Sequence, residues 1–173
     1  MIKTILFLVL TALLISACHK GHGSLTVNLK DGPAGLDEIN VDLESIEVCV
    51  EDKWYKLKTN KGIYNILQFQ NSSALVATEN EIPEGKISFV KLVLGSNNSI
   101  LEDGNYKPLM TRCSPGEKFM VVIPADCTIS PNQASNILLD IDAERSISKT
   151  PTGKFYLHPV ATSGVISSPM EIY

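Results

Sequence analysis

The sequence predicts an all-β protein, an antiparallel β-sandwich of roughly seven to nine strands. Three observations carry this. From Ser24 onward the dominant hydrophobic period is two, the mark of half-buried strands. The apolar runs are short and divided at near-regular intervals by Gly, Pro and Asn, as strands joined by turns are and βαβ units are not. No stretch repeats its apolar residues at helical spacing over a normal helix length. Residues 24–173 fit one domain with a full-sized core, and no internal repeat or low-complexity tract divides them.

In the first strand Leu25, Val27 and Leu29 alternate with Thr26, Asn28 and Lys30, and Asp31-Gly32-Pro33-Ala34-Gly35 closes it as a turn or loop. Ile39, Val41 and Leu43 alternate next. Ile46, Val48 and Val50 resume one residue out of phase, so a β-bulge near Glu44-Ser45 is needed to keep both sets on the core side. Glu51-Asp52-Lys53 turns the chain into a strand whose Tyr55 and Leu57 face inward while Trp54, Lys56 and Lys58 face out. Residues 63–69 are apolar without a clear period, and Leu75-Val76-Ala77 reads as a short helical turn. Pro83-Glu84-Gly85 leads into residues 86–94, the most continuously apolar run and therefore a central strand. Residues 106–110, 118–123, 136–142 and 155–161 supply the remaining strands.

The first 18 residues read as an export and lipidation signal. Lys3 gives a positive start, and residues 5–15 form an apolar core, broken only by Thr11, that is too short to span a bilayer. Ile15-Ser16-Ala17 then sets small residues directly before Cys18. This order resembles the lipobox of bacterial lipoproteins, which implies a signal peptide over residues 1–17 and acyl chains on Cys18. Two or more chains, at about 0.8 kcal/mol per buried methylene, hold a protein stably on a membrane. Residues 18–23 become the lipidated cysteine and a polar tether. His19 is not the aspartate that retains lipoproteins in the inner membrane of enteric bacteria, which points to the outer membrane of a two-membrane organism. Lys20 stands where the acidic run of a surface-export signal would begin, which favours the periplasmic face.

Loss of residues 1–17 removes only Lys3 from the 15 Lys and Arg, leaving 14 against 19 Asp and Glu, a formal net charge of −5. Nucleic acid rewards basic stripes, so it is excluded as a partner. Of the three cysteines beyond Cys18, Cys49 between Val48 and Val50 reads as a reduced, packed strand residue. Cys113 and Cys127 are candidates for a disulfide, which export permits. A strand over 118–123 alone would hold their ends roughly 17 Å apart, so a bridge requires the flanking loops at Pro115-Gly116 and Pro124 to fold back.

Candidate chemistry is sparse. His19 and His22 lie in the tether, and two mobile imidazoles beside a lipidated thiol make a poor metal site. His158 is the only histidine of the domain, and no GxSxG elbow, HExxH helix, P-loop or CxxC pair occurs. A hydrolase would need His158 or the Asp140/Asp142 pair beside a nucleophile, so an enzyme is not expected. Asp140 and Asp142, two residues apart, point to one face of a strand. With Asp103 and Asn97 or Asn98 they could approach the six to eight oxygens calcium wants; otherwise they cap loop amides or pair with Arg145 or a lysine. Calcium is the one cofactor candidate, and none is expected. Trp54, the sole tryptophan, either packs over the sandwich rim or offers a half-exposed indole on which a sugar ring could stack.

Five pieces stand in order between residues 24 and 161: Leu25-Thr-Val-Asn-Leu-Lys-Asp-Gly-Pro-Ala34, Ile39-Asn-Val-Asp-Leu43, Ile82-Pro-Glu-Gly-Lys86, Leu139-Asp-Ile-Asp-Ala143 with Ser146-Ile147, and Tyr156-Leu-His-Pro-Val160. Together they resemble an uncharacterised family of secreted and lipid-anchored prokaryotic proteins, domain-of-unknown-function family 4382. The resemblance implies a β-sandwich, immunoglobulin-like or transthyretin-like, with no assigned activity and no catalytic residues to carry over. It offers no counterpart to the Cys113 and Cys127 pair. The expectation is a lipid-anchored envelope protein acting as a non-catalytic interaction or structural module for an envelope protein. A glycan-binding lipoprotein is the alternative, with a calcium-dependent module or a hydrolase behind it.

Overall fold

The computed structural model describes residues 21–31, 37–111 and 118–165. In chain order its strands are β1 (His22–Asp31), β2 (Glu38–Val50), β3 (Lys53–Lys56), β4 (Lys58–Thr59), β5 (Gly62–Asn65), β6 (Ala74–Pro83) and β7 (Gly85–Leu94). They continue with β8 (Ser99–Glu102), β9 (Asn105–Thr111), β10 (Phe119–Ile129), β11 (Ala134–Ile141), β12 (Ile147–Lys149), β13 (Phe155–Leu157) and β14 (Ala161–Val165). A 3₁₀ turn (Ile66–Phe69) and the single-turn α1 (Ala143–Ser146) are the helical pieces among the described residues. One sheet has the order β14-β11-β1-β6-β4. The other runs β10-β7-β2-β8-β9-β13-β12, with β3 and β5 also paired to β2.

The all-β sandwich matches the expectation, with more and shorter strands than seven to nine. Two ladders, β1 with β11 and β9 with β13, run parallel in an otherwise antiparallel fold. The core lies between the sheets. Leu25, Val27, Ile137 and Leu139 line one inner face, and Ile46, Val48, Val90, Leu92 and Ile123 line the other.

β2 carries the larger sheet. Its first half pairs with β5 on one edge and β8 on the other, and its second half with β3 and β7. The register on β7 shifts between Leu43 and Ser45, the bulge that the out-of-phase apolar residues predict. Beside it, the Asp42 N–H donates to Asn98 Oδ1 at 2.9 Å, and Asn98 Nδ2 donates to Gly95 O at 2.8 Å. Asn98 is buried, and it ties the β7–β8 connection to β2. At the other end of β2, Glu51 (φ 45°) and Asp52 (φ 63°) form the tight left-handed turn into β3.

Three local expectations are corrected. Leu75-Val76-Ala77 is part of β6, not a helical turn. The β1–β6 register slips between Val27 and Asn28, so Val76 and Ala77 both turn inward and the period of two is lost. β10 does not stop at Ile123 but runs through Pro124 to Ile129. It is an edge strand, where a proline costs no ladder bond on its free side, and its register shifts between Pro124 and Cys127. β1 begins at His22, so the last two tether residues belong to the sheet: the Asn132 N–H donates to His22 O at 2.8 Å.

Replacing Asn98 by Ala strands the Asp42 N–H and the Gly95 carbonyl. At about 1–3 kcal/mol per unsatisfied buried group, urea denaturation is expected to show a loss of about 2–4 kcal/mol. Glu102 binds Lys107 at 2.5 Å and Lys149 at 2.6 Å, and these hydrogen bonds, Lys107 first, hold its carboxyl below the usual value of 4.5. A carboxyl lowered by folding favours the native state above that value and withdraws its support as pH falls through the lowered one. Acid titration of melting temperature should therefore be shallower in Glu102→Gln than in the natural chain.

Candidate interaction surface

The outward side chains of β3, β2, β7 and β10 stand in rows set by register. Trp54 is opposite Cys49, Cys49 opposite Phe89, and Phe89 opposite Pro124. The next row is Lys56, Glu47, Lys91 and Val122, and the third is Ser45, Val93 and Met120. Trp54 is 43% exposed, Phe89 40%, Val122 52% and Met120 59%. Cys49 and Val93 stand in the same outward rows, outside the interior core, yet are buried. Their larger neighbours roof them over. The result is a face on which two apolar rows flank a middle row that holds Lys56, Glu47 and Lys91 beside Val122.

Charges order and rim this face. Lys91 Nζ lies 4.2 Å from the centroid of the Trp54 ring and 2.6 Å from Glu47 Oε2, so one ammonium holds the indole across the sheet by cation–π attraction and an ion pair. The open remainder of the indole gives Trp54 its exposure. Lys118 pairs with Glu44 on one side, and Lys86 with Asp126 at 3.0 Å on another.

Trp54 lies toward the end of the sandwich where the described chain begins. There the Glu84 N–H donates to Gly21 O at 2.8 Å, and a Cβ on Gly21 would come within 2.5 Å of Pro131 Cγ, so only glycine fits the clamp. His22 lines a shallow pocket of about 180 Å³ with Val50, Glu51, Lys53, Tyr55 and Glu84. The β2–β3 hairpin that carries Trp54 is therefore the neighbour of the N-terminal strand.

The aspartates singled out in the sequence gather at the opposite end. β1 and β11 run in parallel register from Ser24 and Ala134 to Asp31 and Ile141, a span of about 23 Å at 3.3 Å per residue. At its far end Asp140, Asp142, Glu144, Arg145 and Thr162 line a cleft of about 370 Å³. The carboxylates take the roles of pairing and capping. Asp140 Oδ2 lies 3.1 Å from Lys30 Nζ; Asp142 caps α1 by accepting the Arg145 N–H at 2.9 Å and lies 3.7 Å from its guanidinium.

Asp103 does not join them. It sits in the β8–β9 turn at φ 52°, where its carbonyl accepts Asn105 Nδ2. Asn97 is bound to Asp42 and Asn98 to the β7–β8 connection. Among the described residues no three His, Cys, Asp or Glu side chains are grouped to hold a metal ion.

Other groups serve the fold. His158 stacks on Tyr156 with ring centroids 6.4 Å apart, and its backbone N–H donates to Ser146 O. Ser146 is fully buried; its hydroxyl donates to Asp142 O at 2.5 Å and accepts the Val160 N–H at 2.9 Å. Cys49 and Cys127 are free, buried thiols. Cys18, His19 and Cys113 lie outside the described residues. Trp54 was legible in the sequence as an outward aromatic. Phe89, Val122 and Met120 were missed, although apolar residues at outward parity in 86–94 and 118–123 were the available signal.

The family model described as a domain of unknown function (DUF4382) matches residues 22–159, and the chain belongs to that family. No curated protein and no solved structure matches it.

Burial is the main cause that pushes the Cys127 thiol above its ordinary range, outweighing a hydrogen bond to Ser135. The thiolate is the reactive form. Alkylation of the native protein at neutral pH, read by peptide mass spectrometry, is therefore expected to leave Cys127 unmodified until denaturant is added.

Proposed function

We propose that this member of the DUF4382 family is a lipid-anchored envelope protein that works without catalysis and uses the outer face of its larger sheet as its contact surface. That face carries the reading. Trp54, Phe89, Val122 and Met120 are exposed on one face, with the Lys91–Glu47 pair between them, the Lys86–Asp126 and Lys118–Glu44 pairs around them, and Trp54 at the end of the sheet where the described chain begins. Exposed apolar patches with polar rims mark contact sites, and tryptophan is among the residues that dominate their energetics. The groups a hydrolase would need support the same view. The cleft carboxylates engage Lys30, Arg145 and a helix N-terminus, and the Ser146 hydroxyl clamps two backbone segments.

The anchor rests on Ile15-Ser16-Ala17-Cys18, and His19 and Lys20 favour the periplasmic face of an outer membrane. Its test is direct. The mature N-terminal peptide should carry acyl chains on Cys18, and Cys18→Ala should move the protein from the membrane fraction to the soluble one. Recovery of Cys18→Ala in the membrane fraction would contradict the anchor.

A second reading, glycan binding, is favoured by one observation: the indole of Trp54 is fixed by Lys91 and still open to stacking. An oligosaccharide at 100 times its dissociation constant adds roughly 2.7 kcal/mol to stability. A panel of envelope and dietary oligosaccharides should leave the melting temperature unchanged if the first reading holds. A shift with one sugar, lost in Trp54→Ala, would establish the second.

A further inference from the structure

We infer that the outer face of the larger sheet docks on the bilayer to which Cys18 anchors the chain, with Trp54, Phe89, Val122 and Met120 set at the boundary of headgroups and acyl chains. The inference rests on the lipidation proposed above and names the surface that the contact face meets.

Reach is the first argument. Cys18 is three residues from Gly21, and an extended chain gains at most about 3.6 Å per residue, so the lipidated residue can lie at most about 11 Å from the folded body. Gly21 is no loose joint, since its carbonyl is held by Glu84 and its α-carbon packs against Pro131. An anchored domain therefore stays at the headgroups. The end of the sheet close to the anchor is the one that carries Trp54: His22 shares a pocket with Lys53 and Tyr55 on the inner side of the β2–β3 hairpin, and Trp54 stands between them on the outer side.

Composition is the second argument. An indole has an apolar body and a polar N–H, and it settles where one end is dry and the other wet. Around it the face offers aliphatic side chains and Phe89, with Asp52 exposed at the hairpin tip two residues away. Glu47 is neutralised by Lys91, Glu44 by Lys118 and Asp126 by Lys86, while Lys56 adds an exposed ammonium to the patch. In a mature chain of net charge −5, this face, where Lys56 offsets Asp52, meets less repulsion from anionic lipids than the rest. Tethering is the third. Once the lipid is inserted, docking is intramolecular and the effective concentration of bilayer is high, so a patch too weak to bind membranes alone is sufficient.

Trp54 is the only tryptophan, which makes the lipidated natural protein its own reporter. The protein is reconstituted into vesicles of phosphatidylethanolamine and phosphatidylglycerol, with and without acyl chains brominated near the headgroup. Docking predicts a blue shift of Trp54 emission and loss of emission in the brominated vesicles. The double variant Met120→Glu, Val122→Glu should still float with the vesicles and keep its melting temperature but lose the blue shift and the quenching. Wild-type protein that floats yet shows unshifted, unquenched Trp54 overturns the docking and leaves the face to a protein partner. Protein that fails to float overturns the anchor, and the docking with it. Flotation and quenching thus separate the two failures.

Discussion

β2 is hydrogen-bonded along both edges for most of its thirteen residues, and the larger sheet is registered on it. The bulge between Leu43 and Ser45 is the constraint. Without the extra residue, Ile46, Val48 and Val50 would turn to solvent and Glu47 and Cys49 to the core. The antiparallel ladders to β3 and β7 would carry the error outward. Asn98 helps to hold this register by completing the backbone bonds that the bulge leaves open at Asp42. The same register sets Trp54, Phe89 and Pro124 in one row, so the exposed apolar face is a consequence of how the core is packed.

The parallel pairing of β1 with β11 gives the molecule two different ends. One holds Gly21, the β2–β3 hairpin and the approach to Cys18; the other holds Asp140, Asp142 and the cleft. At the first end exposed apolar side chains remain outside a core that is already complete. At the second, each of the two aspartates has a cationic or backbone partner. Burial and hydrogen bonding thus separate a surface left open from one that serves the fold.

Much of this was legible because it was local. The phase change between Leu43 and Ile46 announced the bulge, Glu51-Asp52 the turn, and the parity of Trp54 and Tyr55 their opposite faces. What was not legible depended on partners far away in the chain. β6 lost its alternation to a slip against β1, so Val76 and Ala77 looked helical. Pro124 reads as a stop unless the strand is known to lie on an edge. Nothing local marks β1 and β11 as parallel neighbours. Residues 86–94 showed the subtlest failure. A strand apolar on both sides reads as buried on both, whereas Phe89 faces outward and is 40% exposed.

The central claim is that the working surface is the outer face at the anchored end and not the acidic cleft. Hydroxyl-radical footprinting compares the protein in its native envelope with the purified protein, and reads oxidation residue by residue. The account predicts that Trp54, Phe89 and Met120 are protected in the envelope, while Tyr106, 63% exposed on β9, is oxidised equally in both. Full oxidation of those three residues in the envelope, with protection at residues 140–145 and 160–162 instead, would contradict it.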